Sequence, residues 1–159
     1  MANLRSLMFR EANLARANFT NAKLSLTDFS SANLASTNFT NANLFGASFW
    51  SSNFARTNLT NANLTYITCN FYNINSANFT GTNLTNADFI GNNFSGSSFN
   101  NANLSNAGFD NINFNGTSFN NANFTGANFM NTNFNGVKFT GANFTDAKFS
   151  NVDFENALL

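Results

Sequence analysis

An apolar residue recurs at every fifth position of this chain, from Leu4 to Leu159, without a single insertion or deletion. We call this position the centre, i. Of the 32 centres, 20 are Phe and 10 are Leu, and the other two are Cys69 and Ile74. Because 20 of the 22 Phe residues are centres, the period is far too regular to arise from composition alone.

A period of five fits neither an α-helix nor a single β-strand, whose side chains repeat every 3.6 and 2 residues. Position i−2 is usually Ala, Thr or Ser, and residues two apart in an extended segment point to the same side. We therefore expect i and i−2 to face inward, and i−1, i+1 and i+2 to face solvent or form a turn. Glycines such as Gly46 and Gly81 fall at i+2, where a tight turn often needs a positive φ.

A second, longer period of 20 residues is superimposed on the period of five. The sequence NANL occurs at 41–44, 61–64 and 101–104, and Leu occupies every twentieth position from Leu4 to Leu104. Four five-residue sides per coil predict a square solenoid of about eight coils, which at a spacing of about 4.8 Å is about 35–40 Å long. We expect residues 1–159 to form one all-β domain.

The unbroken tandem phrase A(N/D)(L/F)xx resembles the pentapeptide repeat family over essentially the whole chain. The resemblance implies a right-handed quadrilateral β-helix, a β-solenoid in which i and i−2 fill the core. It also implies a non-enzymatic, bacterial scaffold. The best-understood members of the family are quinolone-resistance proteins, which are acidic dimers that resemble B-form DNA and bind DNA gyrase.

The charge balance makes gyrase binding an alternative rather than the leading interpretation. Seven basic and seven acidic residues give zero net charge, whereas DNA mimicry requires negative charge like that of phosphates. The same balance predicts no direct binding to nucleic acid and no attraction to an anionic membrane. With no long apolar run and no signal-peptide core in sight, a cytoplasmic location is the default expectation.

The residues that usually carry chemistry are scarce. There is no His, and a single Cys excludes an internal disulfide. Asp28 and Asp88 should lie about 14 Å apart on one side, too far for paired catalytic carboxylates, and Asp110 beside Asp88 is interpreted as solvated. We expect no catalytic residue, metal or cofactor, a buried and inert Cys69, and a surface ion-pair network at Asp146, Lys148, Asp153 and Glu155.

Apolar side chains at outward positions mark one candidate surface, beside the side with centres Phe29, Phe49, Cys69 and Phe89. The candidate partner-binding residues are Phe45, Trp50, Tyr66, Phe71 and Ile90, with Leu26 nearby. Trp and Tyr are favoured interface anchors, and clustered exposed apolar groups usually mark a partner. Alternatively, these side chains lie along the rod and cover one another.

The stretch LTYITCNFYNINSANF at 64–79 departs furthest from the repeat but keeps its phase. A large Ile67 at i−2 beside a small Cys69 at i is interpreted as an exchange of volume within one coil. Tyr72 at i−2 predicts a local bulge, or a hydroxyl that reaches the surface.

Two further expectations concern the ends and one column of hydroxyls. No capping helix is evident, so exposed strand edges favour an end-to-end homodimer. A column containing Thr20, Thr40, Thr60 and Thr80 beside Asn18 and its equivalents allows a second alternative, an ice-binding solenoid. Thr also suits strand surfaces for its β-propensity alone.

Overall fold

The computed structural model describes residues 2–70 and 73–158, and the chain winds into stacked coils of 20 residues. Parallel backbone bridges join most i−1 residues to the one 20 positions later, as in Asn3 with Lys23 and Asn58 with Asn78. The predicted all-β solenoid is confirmed. We name its sides by their centres: side A runs from Leu4 to Phe144, side B from Phe9 to Phe149, side C from Leu14 to Phe154 and side D from Phe19 to Phe139.

Side B carries the longest extended segments. They are β1 (Thr68–Cys69), β2 (Asp88–Ile90), β3 (Gly108–Asp110), β4 (Asn128–Met130) and β5 (Lys148–Ser150). These strands form one parallel sheet in chain order, and Phe89 pairs with Phe109 in register. On the other sides each extended step is so short that only single bridges form.

The corners of the coil are tight turns with a left-handed residue at i+2. Every described i+2 residue has a positive φ, and 22 of them are not glycine. The N–H three residues after a centre donates to the centre's carbonyl, as Ala62 N does to Leu59 O at 2.9 Å. A left-handed third residue is the requirement of a type II turn, which explains the preference for Gly and Asn.

The five N–H groups of a repeat each have a defined acceptor. Two are carbonyls of the following coil, one is a carbonyl of the preceding coil, one lies in the turn, and one is a side chain. In the repeat 57–61 the donors and acceptors are Thr57 N to Phe54 O, Asn58 N to Thr37 O, Leu59 N to Asn78 O, Thr60 N to Asn58 Oδ1 and Asn61 N to Thr80 O.

The side-chain acceptor explains why i−1 is usually Asn, a position that the sequence analysis assigned only to the surface. Its Oδ1 accepts the N–H of i+1, as Asn38 does for Thr40 at 3.0 Å and Asn123 does for Thr125 at 3.1 Å. Asp28 serves Ser30 in the same way at 2.9 Å. Without this bond one N–H in five would lack a partner within the coil.

The core is a continuous column of centres. In the middle coils the centres are 0–2 % exposed. Phe rings stack on the ring one coil away, as Phe79 does on Phe99 at 4.5 Å, and meet rings of the next side edge to face, as Phe89 does with Phe94 at 5.3 Å. The predicted stacking is therefore present, in the two arrangements that aromatic quadrupoles favour.

Thr and Ser hydroxyls at i−2 are buried in the core, where each donates a hydrogen bond to a backbone carbonyl. Thr57 Oγ1 donates to Leu34 O at 2.9 Å, and Thr82 Oγ1 donates to Leu59 O at 2.8 Å. Because the carbonyl of the preceding coil accepts this bond, Thr and Ser can replace Ala at a buried position.

The turn on side B changes at the irregular stretch. Before it, the turn is closed, with Ala32 N donating to Phe29 O at 3.0 Å, whereas from β2 onward the i+1 residue stays extended. Ile67 and Cys69 are both 1 % exposed, in agreement with an exchange of volume. Phe71 and Tyr72 lie outside the described residues, and so does the predicted bulge.

Removal of one side-chain acceptor tests this hydrogen-bond scheme. Asn38 Oδ1 accepts both the N–H and the hydroxyl of Thr40. We expect Asn38→Ala to lower the free energy of unfolding by about 1–2 kcal/mol, because both donors lose their partner. Urea denaturation is the measurement. Asn38→Asp keeps the acceptor and should stay close to the parent; equal losses in the two variants would contradict the scheme.

Candidate functional site

Exposed apolar side chains concentrate on the two ridges that border side B. The A/B ridge consists of Leu26, Phe45 and Tyr66, and the B/C ridge of Trp50, Ile90 and Met130. Trp50 is 49 % exposed and Tyr66 is 59 % exposed. The structure thus brings together all the described candidate residues on one side, and Phe71 lies outside the described part of the chain.

The A/B ridge is held together by its own contacts. The rings of Phe45 and Tyr66 meet edge to face at 5.8 Å. Leu26 lies over Gly46, where a Cβ would come within 2.9 Å of Leu26 Cδ2. A hollow of about 350 Å³ opens beside Leu26 and Phe45 and reaches Arg5. These side chains cover one another in part, as the alternative interpretation expected, but they remain 40–60 % exposed.

The B/C ridge includes one residue that the sequence analysis missed. Ile90 pairs with Asp110, and Asp110 pairs with Met130, so Ile90 and Met130 share a column two coils apart. Met130 is 40 % exposed. The signal was present in the sequence, because Met130 holds the same i+1 position on side B as Ile90 and Trp50.

Beyond Met8 in the first coil, which is 79 % exposed, the floor between the ridges is polar. Its i−1 column contains Asp28, Ser48, Thr68 and Asp88. The Ser30 side chain lowers the pKa of Asp28 below its usual value, against the opposing effect of burial, and the Ser30 N–H and the Arg10 guanidinium add to the lowering. Arg10 Nη1 lies 3.3 Å from Asp28 Oδ2.

The acidic residues are distributed singly. Asp110 accepts hydrogen bonds from Asn111 Nδ2 at 2.9 Å and Asn131 Nδ2 at 3.1 Å. In the described parts of the chain, no three His, Cys, Asp or Glu residues converge as metal ligands.

The predicted ion-pair network at the last coil is wrong. Within residues 2–70 and 73–158 the ion pair is Arg10–Asp28. Asp153 instead accepts the Glu155 N–H at 2.8 Å, because its i−1 position directs the carboxylate to the backbone. Asp146 lies at the corner after side A, Lys148 on side B and Asp153 on side C, and no ion pair joins them in the described part of the chain.

Cys69 lies in the core, as predicted. It is 1 % exposed, and burial raises the pKa of its thiol well above the usual value, with a smaller contribution from the Asp88 charge. A buried thiol in its neutral form is a poor nucleophile, so this residue belongs to the packing rather than to a reactive site.

The polar columns of sides A and D bond to themselves. Thr60 Oγ1 donates to Asn58 Oδ1 at 2.6 Å and accepts from Asn78 Nδ2 at 3.1 Å, and Thr125 on side A does the same with Asn123 and Asn143. Since the hydroxyl hydrogens of these threonines point to their own Asn, they are not free to order ice. This observation weighs against the ice-binding alternative.

Comparison with known families identifies the repeat. A model of pentapeptide repeats, eight copies long, matches residues 2–35, 12–50 and 37–68, and a model of the pentapeptide repeat region matches residues 82–159. This chain belongs to the pentapeptide repeat family. Residues 69–81, which make up most of the irregular stretch where the turn on side B changes, lie between the regions that the two models match.

Among the solved structures that are similar to this pentapeptide repeat protein, HetL has the same fold. HetL, involved in heterocyst differentiation regulation in the cyanobacterium Nostoc sp., is 20% identical, with a TM-score of 0.64 over 98% of this chain and 88% of its own. A protein of the Arabidopsis thaliana thylakoid lumen is 23% identical, with 0.40 over 77% and 64%. Trypsin-treated QnrB1, a plasmid-mediated fluoroquinolone resistance protein, is 16% identical, with 0.41 over 96% and 89%.

A comparison with curated proteins gave no match. The family and its solved neighbours are structural repeat proteins. In the part of the chain that the structure describes, no helix has the length and apolarity needed to cross a bilayer.

The lowered pKa of Asp28 predicts a pH dependence of stability. A carboxylate whose folded pKa is depressed stabilises the fold above its unfolded pKa, and this contribution is lost as pH falls through the folded pKa. We therefore expect the stability of this pentapeptide repeat protein to fall below about pH 4. Asp28→Asn, which keeps the acceptor for Ser30 N–H, should flatten the acid limb of a urea-midpoint-versus-pH curve. An unchanged acid limb would exclude Asp28 as its source.

Proposed function

We propose that this pentapeptide repeat protein is a non-enzymatic rod that binds a protein partner through side B. The observation that carries the proposal is the concentration of exposed Phe45, Trp50, Tyr66 and Ile90 on the two ridges of one side. Large aromatic side chains supply much of the binding energy of protein interfaces. On sides A and D, by contrast, threonine hydroxyls such as those of Thr60 and Thr125 bond to neighbouring Asn side chains.

The chemistry of side B indicates what the partner presents. Apolar ridges flank a floor with the carboxylates of Asp28 and Asp88, so a complementary surface offers two apolar strips with donors between them. Between residues 29 and 137 only Arg56, Asp88 and Asp110 are charged. With so little charge, association depends on apolar burial and hydrogen bonds, and salt should change its rate little.

Phe71 belongs to the same proposal through its position in the sequence, at i+2 between side B and side C.

The gyrase-binding alternative gains no support from the charge distribution, because the middle of the rod lacks the negative charge of a DNA mimic. Inhibition of DNA supercoiling by gyrase in the presence of this protein would favour that alternative.

Trp50 provides a direct test, because it is the one tryptophan of the chain and is half exposed. Binding of a partner captured from the native cell should shift Trp50 emission to shorter wavelength and protect it from acrylamide quenching. We expect the double substitution Trp50→Ser and Ile90→Ser to weaken capture of that partner at least tenfold, since truncation of a central aromatic anchor costs about 2 kcal/mol or more.

Leu158→Ser is the matched control. Leu158 is exposed on side D, away from both ridges, so this variant loses apolar surface without touching side B. Capture unaffected by the double substitution, or equally weakened by Leu158→Ser, would exclude side B as the binding surface. Circular dichroism and thermal melting should show that all variants keep the solenoid.

A second candidate surface is the last described coil, for which we propose a second copy of the chain as the occupant. Phe149 and Phe154 are 43 % and 39 % exposed and line an apolar hollow of about 330 Å³ with Phe144 and Ala157. Parallel bridges join this coil to the preceding one, as in Asn133 with Asp153 and Lys138 with Leu158. Another coil of the same kind would extend both the ladder and the Phe stacks.

Sedimentation equilibrium tests the end contact. We expect self-association that Phe154→Asp weakens, because a carboxylate in the hollow would have to be desolvated on contact. The side B variants described above should associate as the parent does. A monomer at every concentration would remove this contact while leaving the side B proposal untouched.

A further inference from the structure

Asn115 and Asn135 are the two asparagines of the chain that a glycine follows. Both hold position i+1 at the corner after side C, one coil apart, and Gly116 and Gly136 have nearly equal φ values of +66° and +68°. Asn115 is exposed, whereas Asn135 is half-buried. One molecule therefore contains the same dipeptide in the same turn, but in two surroundings.

The backbone nitrogen of Gly116 differs from its equivalents. The N–H at i+2 normally donates to the i+1 carbonyl of the following coil, as Gly96 N does to Asn115 O at 3.0 Å and Gly136 N does to Glu155 O at 3.2 Å. Among the described i+2 residues from Ser6 to Gly136, only Gly116 lacks this bond.

The ladder on side C is stretched at this point. The distance from Phe114 N to Asn133 O is 3.4 Å, and that from Asn133 N to Ile112 O is 3.3 Å, whereas Phe119 N lies 2.8 Å from Lys138 O in the same coil. A hollow of about 540 Å³ lies here, lined by Asn113, Asn115, Asn133 and Asn135.

The packing of Ile112 gives a reason for the stretch. Ile112 is buried at i−2, where most repeats have Ala, Thr or Ser, and the same repeat keeps a full-sized Phe114 at its centre. The repeat of Ile67 has a small Cys69 at its centre, but the repeat of Ile112 has no such small residue. Extra volume in a packed core shifts the backbone, and here the shift separates the strands on side C.

The side chains of the two asparagines also differ: among the described residues, that of Asn135 is hydrogen-bonded, as is the Gly136 N–H, and that of Asn115 is not, as the Gly116 N–H is not. Asn135 Oδ1 accepts a hydrogen bond from Asn156 Nδ2 at 3.4 Å. The side-chain amide of Asn115 has no hydrogen bond to any residue in the described ranges, although Asn113 Oδ1 accepts the Asn115 N–H at 3.0 Å. The Asn115 amide is thus free to rotate toward the Gly116 nitrogen.

We propose that Asn115–Gly116 is a site of spontaneous deamidation, with water as the co-reactant. The Gly116 nitrogen gives up its proton and attacks Cγ of Asn115, forming a new C–N bond. The Cγ–Nδ2 bond breaks, and ammonia leaves with a proton from the solvent. Water then opens the five-membered succinimide at one of its two carbonyls, giving aspartate or isoaspartate. At Gly136 the bond to Glu155 O must break before the same attack.

The product changes the rod at the joint between two coils. Isoaspartate adds one backbone atom between i+1 and i+2, which breaks the five-residue phase at that corner. Either product places a carboxylate in a segment that is otherwise nearly uncharged. We expect the coils that follow residue 116 to be held less firmly after conversion, with faster hydrogen exchange at Phe134 and its neighbours.

The test is ageing of the purified full chain in mildly alkaline buffer, followed by tandem mass spectrometry with a fragmentation that distinguishes aspartate from isoaspartate. We expect conversion at residue 115 to be several-fold faster than at residue 135, and to accelerate with pH because the deprotonated nitrogen attacks. Asn115→Ser, which reproduces the Ser95–Gly96 pair one coil earlier, should abolish it and leave conversion at Asn135 unchanged.

Ile112→Ala tests the structural cause separately. With less volume at i−2 the Gly116 N–H should regain its bond to the next coil, and conversion at Asn115 should slow toward the rate at Asn135. Hydrogen exchange at Gly116 should slow in parallel. Equal rates at the two asparagines in the parent protein would overturn the proposal, as would conversion at Asn115 that Ile112→Ala leaves unchanged.

Discussion

The hydrogen bond from the i+1 N–H to the side chain at i−1 is the interaction that completes the backbone pairing of the regular square coil. A chain that turns four times in 20 residues cannot pair all its N–H groups with carbonyls of the neighbouring coils. In the repeat 57–61 four N–H groups find backbone carbonyls, and the fifth, that of Thr60, is accepted by Asn58 Oδ1. Since only a short side chain with an oxygen at this position reaches it, Asn and Asp dominate i−1.

This constraint explains how the remaining positions are distributed. With the five N–H groups of a regular repeat accounted for, the backbone can come close to a core in which a large residue at i and a small one at i−2 alternate. Thr57 shows that a hydroxyl is tolerated at i−2 because the carbonyl of Leu34 accepts it. The left-handed residue at i+2 then closes the corner, and its side chain extends into solvent. Surface character is therefore free to vary chiefly at i+1 and i+2, which is where Trp50 and Tyr66 occur.

The irregular features of the molecule follow from departures at these positions. A large residue replaces a small one at i−2 in both Ile67 and Ile112. The repeat of Ile67 has a small Cys69 at its centre, whereas the repeat of Ile112 has Phe114, and there the ladder lengthens to 3.4 Å. Large residues at i+1 and i+2 produce the two ridges of side B. The repeat thus keeps the core uniform while single substitutions at i+1 and i+2 change the surface. A binding surface can therefore arise without any change in the fold.

The coil, the inward positions and the left-handed corner could all be predicted from the repeat, because a strict period of five favours a geometry that buries i and i−2 together. The sequence also placed Phe45, Trp50, Tyr66 and Ile90 on one side, since the period of 20 converts residue number into position. The three-dimensional structure was needed to show that Asn at i−1 completes the backbone hydrogen bonds and that threonines such as Thr60 bond to their Asn neighbours. It was also needed to show that Asp153 accepts the Glu155 N–H and does not join an ion-pair network. These features depend on distances of a few tenths of an ångström between coils and on the direction of individual side chains, which periodicity does not specify.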